Sequence, residues 1–306
     1  MRLSIKLGVF SAVDLAMTGN TVIEFKNVWF KYNSSKEYVL KDINVIIRKG
    51  ESVAIIGVNG SGKTTLLKLI NGLIKPNRGV VRVLGMNTKN TPTHKIARHV
   101  GFVPQNPYYM VFARTLKEEL EITLKTMGYP KDRIHERIEL ISKKFGIEEL
   151  LEKSPRKLSY GQLRIIVLAI VLSYDPDVIL LDEPTVGYDK GFKHLLSTII
   201  SELIRKGKTI VASSQDLDFV SSTFSRVILL HNGRITIDDT PRNVLYNIKA
   251  LEKSGLLAPP IPSLFTSIER EVAVSTLGNP YKPISVYEAY DLLSRFVKHS
   301  FRGRKT

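Results

Sequence analysis

The period of the hydrophobic positions changes near Gly50. Before it, apolar and polar residues alternate, as in Val22-Ile23-Glu24-Phe25-Lys26-Asn27-Val28 and again over residues 43–47. A period of two marks strands with one buried face, so residues 21–50 are expected to form antiparallel strands with a turn near residues 33–35. After Gly50, short strand-like runs at residues 54–56, 100–103, 178–181, 209–213 and 227–230 alternate with helix-like stretches. Such runs suit strands buried on both faces, and the alternation predicts an α/β fold with a mostly parallel sheet covered by helices. Residues 116–157 are polar with periodic apolar positions, the pattern of a separate small helical lobe. Beyond residue 245 the pattern weakens through the proline-dense Leu256-Leu257-Ala258-Pro259-Pro260-Ile261-Pro262, then resumes in two short helices at residues 263–271 and 286–297. The expected organisation is an N-terminal extension at 1–20, a main domain at 21–247 and a small C-terminal accessory domain at 248–306.

Composition changes this picture in two places. The 306 residues include no cysteine, which excludes disulfides and thiolate metal sites. The formal net charge is +16, which calls for an acidic partner without choosing among nucleic acid, anionic lipid and acidic protein. Arg295, Lys298, Arg302, Arg304 and Lys305 crowd the end of the chain with no acid among them; they read first as a solvated tail and second as a membrane-surface or partner contact. No run approaches the ~18 consecutive apolar residues of a spanning helix. Residues 7–17 are apolar but interrupted by Asp14, and are read as part of the extension rather than as a peripheral amphipathic segment.

Candidate chemistry begins with Gly57-Val58-Asn59-Gly60-Ser61-Gly62-Lys63-Thr64-Thr65, set between an apolar strand and a helix expected over residues 65–71. That context is what a phosphate-binding loop requires. Glycines let the backbone approach phosphate, and the helix N-terminus favours negative charge. Lys63 can reach the β- and γ-phosphates of ATP, and the Thr64 hydroxyl can ligate Mg²⁺. The apolar run 178–181 ends in Asp182 and Glu183, at the strand end that faces a ligand crevice in parallel sheets. Asp182 there can hold Mg²⁺, and Glu183 can orient or deprotonate the attacking water. Leu158-Ser159-Tyr160-Gly161-Gln162 precedes an apolar helix over 163–172, with Ser159 placed to cap it.

The order of these elements resembles the ATP-binding-cassette (ABC) ATPases, P-loop NTPases, over residues 21 to about 245. By that resemblance Tyr32 stacks on adenine, Gln105 senses Mg²⁺ and couples to a membrane subunit, and Asp189 crosses the dimer interface. Ser159, Gly161 and Gln162 become the signature that closes over the ATP of the other subunit. A narrower likeness runs through Gln105-Asn106-Pro107 with Phe112 and Thr115, Asp216-Leu217-Asp218-Phe219-Val220, Asn232-Gly233-Arg234, Thr240-Pro241-Arg242 and Pro283-Ile284-Ser285-Val286-Tyr287-Glu288. These pieces resemble the ATPases of energy-coupling-factor importers for vitamins, cobalt or nickel.

Two departures stand out. Gln215 occupies the place of a histidine that contacts the γ-phosphate, and Tyr160 the place of a signature glycine. Met110 also stands where the narrower group often has a second Gln. Gln215 would act on the ATP held by this chain's Lys63, and Tyr160 on the ATP of the opposite site. A heterodimer is therefore favoured, because a partner could supply a normal signature to one site and a normal histidine to the other. The resemblance implies a transmembrane coupling subunit, a substrate-binding membrane subunit, and residence at the cytoplasmic face of the membrane, with no specific nucleic acid. The alternatives are a soluble ABC ATPase acting on nucleic acid or ribosomes, which the net charge would suit, and a hydrolysis-poor regulatory subunit, which Gln215 would suit.

Overall fold

The structure is a computed structural model that describes residues 20–271 and 282–302. Two sheets organise it. The first is antiparallel, in the order β2-β1-β4-β5, from β1 (Thr21–Phe30), β2 (Leu40–Arg48), β4 (Arg78–Val83) and β5 (Met86–Asn87). The second runs β10-β9-β3-β8-β7-β6, from β3 (Ser52–Ile56), β6 (Val100–Val103), β7 (Val178–Asp182), β8 (Thr209–Ser214), β9 (Arg226–His231) and β10 (Arg234–Asp239). Its pairings are parallel except at the β9–β10 edge.

The buried runs explain why this sheet is central. Every residue of β3, β7 and β8 is buried, so both faces must be covered. Alternate residues face two different cores. Val53, Ile55, Val178 and Leu180 pack with β1, β2, β4 and helix α1 (Lys63–Ile70). Ala54, Ile56, Ile179 and Leu181 pack on the other side. After the short α2 (Thr93–Ala97), that side is covered by α3 (Leu116–Met127), α4 (Lys131–Phe145), α5 (Tyr160–Ser173) and α6 (Lys190–Arg205), through residues such as Leu120, Ile138, Ile166 and Leu196. The amphipathic spacing in 116–157 thus produces two helices, α3 and α4, each stopped by a left-handed glycine, Gly128 and Gly146.

Further on lie α7 (Leu217–Thr223), α8 (Pro241–Leu245), α9 (Ile248–Lys253), α10 (Pro260–Glu271) and α11 (Val286–Arg302). Leu251 and Leu256 join the core beneath the parallel sheet. The start of α11 is fastened to α8, with Arg242 paired to Glu288 at 3.1 Å and the Tyr246 hydroxyl donating to the Pro283 carbonyl at 2.8 Å. Residues 1–19 and 303–306, including Arg304 and Lys305, lie outside the described residues.

The sheet order decides where chemistry can happen. β8 lies between β3 and β7, with Ile56 opposite Ser214 and Asp182 opposite Ser213. The C-terminal ends of three neighbouring strands therefore open on the same crevice.

Candidate functional site

β3 leads into the glycine-rich turn at 57–62, and α1 begins at Lys63 rather than at residue 65. Gly57 has φ 153°, and a Cβ there would drive into the Leu230 carbonyl oxygen of β9, so only glycine fits. Gly62 caps α1 without a side-chain acceptor, which leaves the first helical N–H groups unspent and directed at the crevice. The Ser61 hydroxyl is buried with no partner, an unfilled hydrogen-bond site that suits a phosphate oxygen. Asn59 and Gly60 form the exposed crest of the turn.

Lys63 folds back over this loop. Its Nζ donates to the carbonyl oxygens of Gly57 at 2.8 Å and Val58 at 3.2 Å, and lies 3.2 Å from Glu183 Oε1, both side chains being 6% exposed. Thr64 Oγ1 donates to Asp182 Oδ1 at 3.0 Å, and the Ser213 hydroxyl donates to the same oxygen at 2.7 Å. Ser213 Oγ in turn accepts the Glu183 N–H at 2.9 Å. Thr65 meets the Tyr32 hydroxyl at 3.2 Å, which places that half-exposed ring, edge-on to Phe30, beside the first turn of α1.

Glu183 has φ 46°, a left-handed backbone that a glutamate adopts only when its surroundings over-determine it. Its carboxylate is gripped from the β8 side as well. The Gln215 N–H donates to Oε2 at 3.2 Å, and Gln215 Nε2 reaches Oε1 at 3.4 Å and Asn59 Oδ1 at 2.7 Å. Gln215 therefore bridges the phosphate loop and the acid.

The remaining candidates sit apart from this cluster. Ser159 caps α5 in a closed box: its hydroxyl accepts the Gln162 N–H at 3.2 Å, and Gln162 Oε1 accepts the Ser159 N–H at 3.0 Å. Among the described residues no hydrogen bond joins Ser159, Gly161 or Gln162 to the phosphate loop. Asp189 caps α6 by accepting the Phe192 N–H at 2.9 Å and is exposed. The Gln105 side chain is exposed, while its carbonyl accepts from Arg164 Nη2 at 2.5 Å and from the Tyr160 hydroxyl at 3.2 Å.

Two residues at the site escaped the sequence reading. Ser213 was legible only as the end of a buried strand. Arg164 carried a clearer signal: a lone cation in an otherwise apolar helix must find acceptors, and its position, six residues after Leu158, pointed to the site.

The comparisons with known proteins agree with this geometry. The ABC transporter family model matches residues 40–186. The energy-coupling factor transporter ATP-binding protein EcfA1 of Halalkalibacterium halodurans is 37% identical, over 76% of this chain and 84% of its own length. The chain belongs to the ABC transporter ATPases. Among solved structures, this ABC ATPase is similar to cbiO1 of Clostridium perfringens, part of the ABC transporter complex cbiONQ, with a TM-score of 0.68, 29% identity and coverage of 81% of this chain and 99% of that one. It is also similar to a dimeric ATP-binding cassette in a post-hydrolysis state bound to ADP and Pi, with a TM-score of 0.66, 28% identity and coverage of 72% and 99%. The α/β fold, with its antiparallel N-terminal strands and helical lobe, is the fold of these cassettes, and the reaction is ATP hydrolysis.

Proposed function

We propose that this ABC ATPase energises a membrane importer of the energy-coupling-factor type, as one half of an ATP-driven dimer at the cytoplasmic face of the membrane. The observation that carries this reading is the convergence of Lys63, Thr64, Asp182 and Glu183 at one crevice, with the signature at 159–162 held on a separate helix start. A crevice with phosphate donors and acids but no signature is half of a site, which a second subunit's signature completes. The relatives supply the rest: EcfA1 is an energy-coupling factor transporter protein and cbiO1 is part of a transporter complex. Among the described residues no helix is long and apolar enough to cross a membrane.

In this reading the N–H groups of residues 59–65 and Lys63 bind the β- and γ-phosphates, and Tyr32 stacks on adenine. The oxygen donors Thr64 Oγ1 and Asp182 Oδ1, 3.0 Å apart, suit Mg²⁺, a hard cation that prefers oxygen and is commonly held jointly by carboxylate and phosphate. With Gln105 they would hold it; when bound it neutralises charge on the phosphates. Among the described residues no cluster of three His, Cys, Asp or Glu side chains could hold a metal alone, which fits a cation shared with substrate. Phosphate oxygens compete with Glu183 for Lys63 Nζ and so free the Glu183 carboxylate to orient water and take its proton. Gln215 offers its amide to the developing phosphoryl charge. Asp189 and the partner's signature complete closure. Gln215 and Tyr160 fall on opposite sites of the dimer, which favours a heterodimer.

Gln105 adjoins Tyr109 and Phe112, 71% and 80% exposed, at the edge of the helical lobe. We assign docking of a short helix of the transmembrane subunit to this surface. The test is co-purification of the membrane partners from detergent-solubilised host membranes. Phe112→Glu is expected to release them, and the double change Arg302→Glu with Arg304→Glu to retain them. Release by the tail change alone would move docking to the tail. Tight, salt-sensitive binding of RNA or DNA at physiological ionic strength would overturn the importer reading.

A further inference from the structure

Arg164 takes no part in the chemistry above, yet it is only 4% exposed. A buried guanidinium is costly unless its donors are met. Among the described residues it pairs with no carboxylate. Its two Nη groups go to backbone instead, Nη1 to the carbonyl oxygens of Glu183 at 3.2 Å and Pro184 at 3.0 Å and Nη2 to that of Gln105 at 2.5 Å, while Nε is buried without a partner among the described residues. The guanidinium lies between two aromatic rings, 5.4 Å from the centre of Tyr160 and 5.1 Å from that of Tyr188. Tyr188 is stacked on Phe192 at 3.8 Å, and burial pushes its phenol up to about 12 against the opposing pull of Arg164.

We propose that Arg164, assisted by Tyr160, is a positioning residue that holds Glu183 and Gln105 in one fixed relation. Three segments distant in sequence, at 105, 160–164 and 183–184, meet on this single planar group. Guanidinium geometry suits the task, because its donors point in fixed directions and an ammonium's do not. The left-handed backbone of Glu183 needs such external fixing: Ser213 holds its N–H and Arg164 its carbonyl oxygen. Tyr160 now has a role where a glycine would have none, since its hydroxyl gives the Gln105 carbonyl a second donor and its ring covers the cation.

The consequence is coupling between sites. The signature helix begins at Tyr160, so movement of that start as it closes on the opposite nucleotide is passed through Arg164 to Glu183 at this chain's own nucleotide. The inference rests on the reading of Glu183 as the hydrolytic carboxylate.

The test uses the full-length chain with Arg164→Lys and Tyr160→Phe, and Glu183→Gln as a control. Backbone hydrogen exchange is measured with ATP, together with ATP affinity and with turnover in the assembled transporter. Arg164→Lys is expected to hold ATP affinity within about twofold and to lower turnover about tenfold or more, since a 1 Å misplacement can cost up to ~10²-fold. Exchange should rise at 105–112 and 183–189 and stay unchanged in β3 and β8. Tyr160→Phe should act in the same direction, less strongly, and remains a test if Arg164→Lys fails to fold. Equal deprotection of β3 and β8 would reduce Arg164 to a general stabiliser and overturn the proposal, as would wild-type exchange and turnover in both variants. Wild-type turnover in Glu183→Gln would retire the role of Glu183 itself, and the exchange pattern would still decide whether the clamp exists.

Discussion

Gln215 Nε2 donates to Asn59 Oδ1 across 2.7 Å, tying the end of β8 to the crest of the phosphate loop. A glutamine here keeps a neutral amide donor where a histidine could bring a charge. Loss of a preorganised donor at a developing charge typically costs ~10²- to 10³-fold in rate, and a glutamine should forfeit less than that. Gln215→His is expected to raise turnover at the site built on Lys63, and Gln215→Ala to lower it. Single-turnover hydrolysis, with the partner's catalytic glutamate disabled, reads this directly. An unchanged or lower rate in Gln215→His would mean that the Asn59 bridge already compensates.

The Lys63–Glu183 ion pair separates binding from hydrolysis. Lys63→Ala removes the cation proposed to meet phosphate and is expected to abolish ATP binding. Glu183→Gln keeps the size and the N–H and C=O contacts of the left-handed backbone, so binding should persist. Turnover should fall by roughly 10²- to 10⁴-fold, the usual contribution of a general base. Equilibrium binding of a fluorescent ATP analogue beside steady-state hydrolysis distinguishes the two effects, and wild-type turnover in Glu183→Gln would exclude it as the base.

The parallel sheet was legible because β3, β7 and β8 are buried on both faces, and such strands announce themselves as short runs rich in Val, Ile and Leu without alternating charge. The phosphate loop was legible because a glycine-rich turn ending in Lys-Thr between a strand and a helix is a short local pattern. The third antiparallel strand was not seen. Arg-Gly-Val-Val-Arg-Val in β4 is half exposed, carries two arginines, and is recruited by pairing with β1 from a distance in sequence. β10 was missed although the Asn232-Gly233 turn that makes its hairpin, with both residues at positive φ, was in view as a family motif. The bridging by Gln215, Ser213 and Arg164 depends on strand order, which no local pattern encodes.

Glu202 on α6 ties that helix to α4, 2.9 Å from Lys144 of α4 and 2.8 Å from Lys206. Hydrogen bonds from Lys206 and Lys144 lower its carboxyl to about 2. A depressed carboxylate stabilises the fold above the usual carboxylate range, and that contribution is lost as pH falls towards 2. Glu202→Gln should therefore lower Tm at neutral pH by an amount that disappears in strong acid. The pair is partly exposed, so the effect should be below about 1 kcal/mol. Thermal unfolding of both proteins across acidic pH checks the sign, and a difference that grows on acidification would refute it.

Gly57→Ala tests the close approach of the phosphate loop to β9. The added methyl would meet the Leu230 carbonyl oxygen and also the Ser61 hydroxyl at 2.7 Å. The Leu230 carbonyl cannot yield without moving the buried strand β9. Loss of ATP binding with a lowered Tm is expected, whereas Gly60→Ala, with no neighbour around its Cβ and only a φ of 81° to strain it, should be the milder of the two. Equal loss in both variants, measured by melting with and without ATP, would count against the steric account.

The closed capping box at Ser159 and Gln162 has a consequence for how quickly and how tightly two such subunits come together. Association is taxed by every segment that must be ordered at the moment of contact. Here the helix start proposed to meet the other subunit's nucleotide has already satisfied its own end, with no help from outside. It arrives as a finished surface, so less of the binding energy of ATP goes to folding the contact and more is left to move the machine.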